Sequence, residues 1–428
     1  MRLLRTILPG KQRQRGAVFI VMLVFMIMGV AAFLVSSLNS SALQIKRDAV
    51  TANALAQAKE ALISRAVADP NSPGSLPCPD IDSTGLNVAN DGVADMLTGS
   101  HQCPSYIGRL PWKTLGLPDL RDGSGERLWY ALSPNFRDYY PSNPINSNSV
   151  GTLLIYDNTG TNLLTPPGSE AVAIIFSPGD IVASQQRDAA NQNLVQNYLD
   201  IGPNSINNAT QGGPFISANK TTSFNDRLMI IKVSDIIPIV EMRVAKDLTT
   251  AFANYVGHYG EYPHPANFAT CTSISATCSS DTSQCIGKIP DADLALFMPA
   301  YFTPNKWFNV IYYTAGTNSL SGGTGSAGHG SSGSGRAGRW VGGGGNGSGG
   351  SATGSGTGCY APTLSIAGAS VNALFLMPGT PLSGITRTDM SSSPNNLPSY
   401  LENAENQNLD DLYVLPSTGS NDSIHILP

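Results

Sequence analysis

Five oxygen-bearing residues in one short loop are the best candidates for chemistry in this chain. They are Asp80, Asp82, Thr84, Asp91 and Asp95. Counted from Asp80, positions 1, 3, 5 and 12 carry side-chain oxygen and position 6 is glycine, which is the ligand order of a calcium loop. The flanking Leu76 to Pro79 segment does not have a helical pattern, so the loop is no EF-hand. The spacing predicts bound calcium, and a solvated turn rich in Asp and Asn is the alternative.

Two cysteines bracket this acidic loop. A disulfide between Cys78 and Cys103 would close a loop of about 25 residues and stabilise the fold by about 3 kcal/mol. The other cysteines allow three pairings, which the sequence leaves open: Cys271, Cys278, Cys285 and Cys359. Zinc is the alternative for the first three, but their spacing exceeds the two to four intervening residues that zinc sites favour. Disulfides are therefore the stronger prediction.

No arrangement of residues identifies an enzyme. His258, Glu261 and His264 have the spacing of a zinc-protease motif, but the glycines and proline among them prevent one helix from aligning the two imidazoles. The formal net charge of −5 argues against nucleic acid as a partner, because a phosphate-binding surface needs clustered Lys and Arg. The sequence predicts a non-enzymatic protein, with a membrane-tethered hydrolase as a distant alternative.

The elements that position these residues begin with an apolar segment near the N-terminus. Residues 1–16 contain basic residues and no acid, and Ala17 to Leu38 carry no charge at all. As a helix, that uncharged segment would span about 33 Å, enough for a ~30 Å hydrocarbon core. The positive-inside rule then predicts a single-pass bacterial inner-membrane protein with its bulk in the periplasm. A secretory signal peptide is the weaker alternative, because its apolar region would be shorter.

The helical pattern continues beyond the apolar segment. Ser40 to Ala68 contain no Gly or Pro and carry an apolar stripe at helical spacing. Asp69-Pro70 ends the pattern, because proline disfavours helical backbone in the residue before it. The sequence therefore predicts one long helix over residues 17–68.

Arg15-Gly16, followed at once by an apolar span and an amphipathic extension, resembles the class III signal of type IV pilins and type II secretion pseudopilins. The resemblance implies cleavage by a prepilin peptidase between Gly16 and Ala17, methylation of the new N-terminus, and packing of the long helix with other pilins or pseudopilins. Major subunits of the family carry Glu at the fifth mature position, where this chain has Val21. The resemblance therefore implies a minor subunit at the filament tip. A plain anchor with a chance Arg-Gly is the alternative.

The rest of the chain contains an internal duplication. Six paired segments recur in one order. The pairs are 107–111 with 286–290, 127–131 with 307–313, 171–179 with 371–379, Arg187 with Arg387, 198–200 with 400–402, and 225–226 with 421–422. The apolar runs predict strands and the Pro-Gly pairs predict turns. A second helix is expected before the second copy, with Pro238 in its first turn and Gly257 at its C-cap.

These patterns predict an α+β fold, in which a long transmembrane-plus-amphipathic helix precedes two tandem pilin-like helix-plus-antiparallel-sheet modules. The expected divisions are a leader at 1–16, the helix at 17–68, and modules at 69–233 and 234–428, the second with a Gly-rich insertion at 316–358. The expected function is a minor subunit of a type IV pilus or type II secretion filament. An adhesin or cargo-binding tip protein, or an uncut anchored periplasmic binding protein, is the alternative.

Overall fold

The computed structural model describes residues 15–81, 92–138, 143–166, 168–182, 185–188, 190–272, 274–320, 362–382, 385, 387, 396–408, 410–417 and 419–428. Within the first helix, the side chains described are those of residues 22–28, 30 and 42–68. The leader before residue 15 and the Gly-rich insertion beyond residue 320 lie outside the described residues.

One helix, α1, runs from Arg15 to Ala68 and contains 54 residues. It ends where the sequence predicts, before Asp69-Pro70. The Asp69 carboxylate accepts the backbone N–H groups of Asn71 at 2.9 Å and Ser72 at 2.7 Å, so it fixes the turn that follows the helix. This turn directs the chain away from the helix axis and into the body of the protein.

The part of the chain that the structure describes contains no helix that is long and apolar enough to cross a membrane. This finding contradicts the predicted transmembrane segment and the predicted inner-membrane location.

The second helix, α2, comprises Val233–Tyr259 and follows the preceding strand without a linker. It ends three residues later than predicted, because the left-handed position is Gly260, with φ of +82°, rather than Gly257. The Gly260 N–H donates to the carbonyl of Val256 at 2.7 Å. A glycine is suited to this position because a side chain disfavours positive φ.

Thirteen short strands are described, in four sheets. The first half contains β1 (Ile107–Arg109), β2 (Trp129–Leu132), β3 (Ile155–Tyr156), β4 (Ala171–Ser177), β5 (Phe215–Ile216) and β6 (Arg227–Lys232). The second half contains β7 (Ile286–Lys288), β8 (Tyr312–Ala315), β9 (Leu364–Ile366), β10 (Ala369–Val371), β11 (Ala373–Met377), β12 (Leu412–Tyr413) and β13 (Ser423–Ile426).

The two larger sheets have the same topology. The first has the order β1-β2-β4-β6 and the second β7-β8-β11-β13, and all neighbours are antiparallel. Three strands of each sheet come from paired sequence segments, and the fourth, β6 or β13, directly follows the last pair. The register also agrees, since Arg109 lies opposite Trp129 and Lys288 lies opposite Tyr312. The duplication seen in the sequence is therefore present in the strand order.

The two halves do not have separate cores. One buried cluster includes Leu62 of α1, Val172 of β4, Val240 of α2 and Phe375 of β11. A smaller cluster covers the opposite face of the first sheet, with Phe176 packed 5.5 Å from Phe215 between ring centroids. The predicted fold class is therefore corrected: the described residues form a strand-rich α+β fold in which α1 and α2 share one core, rather than a transmembrane helix followed by two tandem pilin-like modules.

Candidate functional site

The N-terminal part of α1 is the most exposed apolar surface of the described structure. Residues 22–28 and Val30 are all apolar, and every one is exposed, from 46% at Val24 to 68% at Met22. Seven consecutive helical residues cover all sides of a helix, so this segment is apolar all round. Such a helix is stable when its whole circumference is buried. The surface points to a partner that surrounds the helix.

The C-terminal part of α1 is held firmly by the body. Its buried face consists of Ala54, Leu55, Ala58, Leu62 and Ala66. Small residues on this face allow the sheet behind it to approach closely, and α1 contacts both β4 and β6. The exposed N-terminal segment therefore extends from a rigidly packed base.

Polar contacts fix where α1 enters the body. The Gly123 N–H donates to Thr51 Oγ1 at 2.9 Å, and a Cβ at Gly123 would lie 2.2 Å from the Arg47 carbonyl oxygen. Glycine is therefore required for this approach. Arg227 of β6 donates to Asp48 Oδ1 at 2.7 Å on the same side. Together these contacts define the point from which the helix extends.

Charged groups join α1 to α2. Lys59 Nζ donates to Asp235 Oδ2 at 2.9 Å and to the Ile230 carbonyl at 3.0 Å. Arg243 Nη1 donates to the Val67 and Asp69 carbonyls, and so provides a hydrogen-bond donor for backbone carbonyls at the C-terminal end of α1. Burial alone would raise the pKa of Asp69, but hydrogen bonds from the Ser72 backbone and from Arg65 outweigh it, so the pKa is lowered. Asp69 is thus a charged carboxylate at the helix end.

Gly16 and Ala17, the predicted cleavage site, lie in the first turn of α1. Helix geometry puts the scissile bond about 45 Å along α1 from Arg47, which forms an ion pair with Asp180 of the body. Cleavage at this bond stays a prediction.

The predicted calcium loop is described only at its ends. Asp82, Thr84 and Asp91 lie outside the described residues. Asp80 and Asp95 are buried, and their carboxylates accept the backbone N–H groups of Gly92 at 2.9 Å and Ile81 at 2.8 Å. Within the described residues, no group of three or more potential metal-ligating side chains is found. Calcium binding stays a prediction, and both described carboxylates help to close the loop.

Disulfides hold two of the irregular regions. Cys78 and Cys103 are bonded, with their Cα atoms 5.5 Å apart, and so bracket the acidic loop. Cys271 is bonded to Cys278, which selects one of the pairings that the sequence left open, and Cys285 is also disulfide-bonded. The cysteines of the described residues are therefore structural, and the zinc alternative is not supported there.

The histidine motif is not assembled. His258 lies in the last turn of α2, whereas His264 is buried beyond the helix, with Nδ1 2.8 Å from the Gln284 carbonyl oxygen. The two imidazoles thus occupy different environments.

Sequence reasoning missed the polar contacts between the two halves. Glu241 of α2 accepts a hydrogen bond from the Ser147 hydroxyl and lies near Arg387. Burial raises the pKa of Glu241 to about 7, against smaller lowering contributions from Ser147, Arg387 and the Gly379 N–H. A charged residue on the apolar face of a helical pattern is the signal that could have identified it.

The chain matches no protein-family model, no curated protein and no solved structure.

Proposed function

We propose that this protein is a non-enzymatic minor subunit of a type IV pilin-like or pseudopilin-like filament, which assembles through the N-terminal part of α1. The observation that carries the proposal is the run of exposed apolar side chains over residues 22–28, on a helix whose other end is packed into the body. Helices of neighbouring subunits are the partner that fits, because they can surround such a segment on all sides.

The proposal gives each part of the chain a role. A prepilin peptidase removes residues 1–16 and leaves Ala17 as the first residue of the helix. The exposed part of α1 then joins the helical spine of the filament. The body, with its two four-stranded sheets, remains outside the spine. Val21 at the fifth mature position, in place of the Glu of major subunits, favours a place at or near the tip.

The cleavage step is tested by the intact mass of the protein produced with and without an active prepilin peptidase. We expect loss of the mass of residues 1–16 only when the peptidase is present. Gly16→Val should block the loss, because the peptidase requires the glycine before the cut. Gly10→Val is the matched control, since it changes another leader glycine, and it should be cleaved normally. An uncut wild-type chain in the presence of active peptidase would contradict the proposed cleavage.

The assembly step is tested separately by a charge in the exposed segment. Phe25→Glu should leave the body folded, because the side chain is 67% exposed, but should exclude the subunit from the sheared filament fraction of producing cells. Ile274→Glu is the matched control, because Ile274 is an apolar residue on the body that is 90% exposed. Equal incorporation of the two variants would contradict assembly through α1.

A further inference from the structure

A cavity of about 350 Å³ opens beside β1 and β2 in the first half of the molecule. It lies within the size range of small-molecule sites. The residues that line it include Arg109, Trp129, Asp80, Asn193, Ala209 and Gln211. The cavity is distant in the chain from the exposed part of α1 and has no role in the assembly proposed above.

Arg109 packs against two neighbouring aromatic rings, whose centroids lie 5.3 Å apart. Its guanidinium carbon lies 4.2 Å from the centroid of Trp129 and 4.1 Å from that of Tyr198. Nη1 donates to the Arg127 carbonyl at 3.2 Å, and Nη2 donates to the Gln192 carbonyl at 2.9 Å. The side chain is therefore fixed in one orientation, and the residue is only 5% exposed.

Two N–H donors on residues that line this cavity have no acceptor in the part of the chain that the structure describes. Arg109 Nε and Trp129 Nε1 are both buried there without a hydrogen-bond partner. A buried donor without a partner destabilises the fold, and does so more strongly when the group is charged. Two such donors on residues that line one cavity indicate that an acceptor group belongs there.

The second half of the molecule provides an internal comparison. Lys288 of β7 occupies the position equivalent to Arg109, and Tyr312 occupies that of Trp129. Lys288 is fully buried, and its ammonium group donates to the Cys271 carbonyl at 2.6 Å and to Asn309 Oδ1 at 2.7 Å. Lys288 thus meets acceptors of the protein itself. Arg109 has such acceptors for Nη1 and Nη2, but its Nε has none among the described residues, and an open cavity lies beside it.

We propose that the Arg109 cavity binds the carboxylate group of a small ligand. A carboxylate is planar and presents two oxygen atoms, which suits a cationic N–H and an indole N–H on two residues that line one cavity. Burial lowers the pKa of Arg109 to about 10, with Tyr198 and Glu126 acting in the opposite direction, so the guanidinium stays charged at neutral pH. Asp80, an acid among the lining residues, already accepts the Gly92 N–H.

The indole N–H signals of the full-length protein test this binding directly. The chain has four tryptophans, and Trp129→Phe assigns the signal of interest. Sodium acetate is titrated at constant ionic strength against sodium chloride. We expect a saturable downfield shift of the Trp129 signal alone. Trp112 and Trp307 serve as internal controls, because their indole N–H groups are also buried without a partner but do not line this cavity.

Two variants locate the site. Arg109→Lys keeps the charge but removes the Nε donor and the planar stack, and it should weaken acetate binding about tenfold or more. Ala209→Leu narrows the cavity without touching Arg109, so it should have the same effect even if the arginine variant folds poorly. Lys113→Gln is the matched control, because Lys113 lies over another tryptophan, Trp112, at 5.2 Å. An unmoved Trp129 signal, or a shift that survives in both cavity variants, would overturn the proposal.

Discussion

Arg187 and Arg387 occupy equivalent positions in the two halves, and each donates to four backbone carbonyl groups at matching positions in its own half. Arg187 donates to the carbonyls of Pro178, Gly179, Asn197 and Tyr198. Arg387 donates to those of Pro378, Gly379, Ser399 and Tyr400. Each guanidinium also lies over the ring of its tyrosine, at 4.8 Å for Tyr198 and 5.1 Å for Tyr400. The arginine therefore ties the Pro-Gly turn to the segment that returns to the sheet edge.

We expect Arg187→Lys and Arg387→Lys to lower the free energy of unfolding by similar amounts, about 1–3 kcal/mol each. A lysine keeps the charge, but its single ammonium group cannot reach four carbonyls in a planar arrangement. Chemical denaturation of each variant measures the loss. Arg121→Lys is the matched control, because its side chain is 48% exposed, and it should change stability little. A loss of unfolding free energy in only one of the two variants would contradict the prediction that the two arginines stabilise the fold equally.

Glu241 should make the stability of the protein depend on pH. Burial raises its pKa from the usual 4.5 to about 7, so the folded state holds a proton that the unfolded state releases between these values. The stabilisation from this proton is complete below pH 4.5 and is lost as the pH rises through 7. The expected loss between pH 5 and 8 is about 2–3 kcal/mol.

Glu241→Gln tests this dependence, because glutamine mimics the protonated side chain at every pH. The variant should match the wild type near pH 5 and exceed it in unfolding free energy near pH 8. Asp422, whose pKa burial raises to about 8, contributes in the same direction in both proteins, so the difference between them isolates Glu241. Glu60→Gln, at an exposed position, is the control. Parallel pH curves for wild type and Glu241→Gln would refute the assignment.

Asn305 joins the second half to the first. Its Oδ1 accepts hydrogen bonds from Ser72 Oγ at 3.1 Å and the Ile145 N–H at 2.9 Å, and its Nδ2 donates to the Asn71 carbonyl at 3.0 Å. Asn305→Ala would leave these buried groups unsatisfied, so we expect a loss of about 2–4 kcal/mol. Thermal and chemical unfolding should still show one transition, because both halves share a core. Asn318→Ala is the control, because Asn318 is exposed, and it should leave the free energy of unfolding unchanged. Two separate unfolding transitions would contradict the shared core.

Local patterns account for the elements that the sequence predicted correctly. The end of α1 at Ala68 follows from the proline at position 70, and the paired strands follow from the duplicated segments. Trp307 to Tyr313 was expected to form one strand, but Lys306 adopts a φ of 56° and starts a 3-10 turn over Trp307–Asn309, so the strand begins at Tyr312. Buried aromatic residues can form core contacts in a turn as well as in a strand, and their type alone does not distinguish the two.

Contacts between distant segments could not be predicted. The sequence places Lys288 and Arg109 at equivalent positions, but which acceptors such a cation meets, and whether a cavity opens beside it, depends on the loops that cover it. Likewise, the contact of Glu241 with Ser147 depends on how the first half folds onto α2. Such relationships arise from tertiary packing, which overrides local propensity.

The two described disulfides should differ in their contribution to stability because they close loops of different length. Cys78 and Cys103 are separated by 25 residues, whereas Cys271 and Cys278 are separated by 7. Chain entropy predicts a loss of about 3.5 kcal/mol when the first is replaced by paired serines and about 2.4 kcal/mol for the second. The double variants Cys78→Ser/Cys103→Ser and Cys271→Ser/Cys278→Ser are compared by chemical denaturation under oxidising conditions, where each keeps the other disulfide. A larger loss for the shorter loop would mean that local packing around Cys271, rather than the entropy of the unfolded chain, determines the effect.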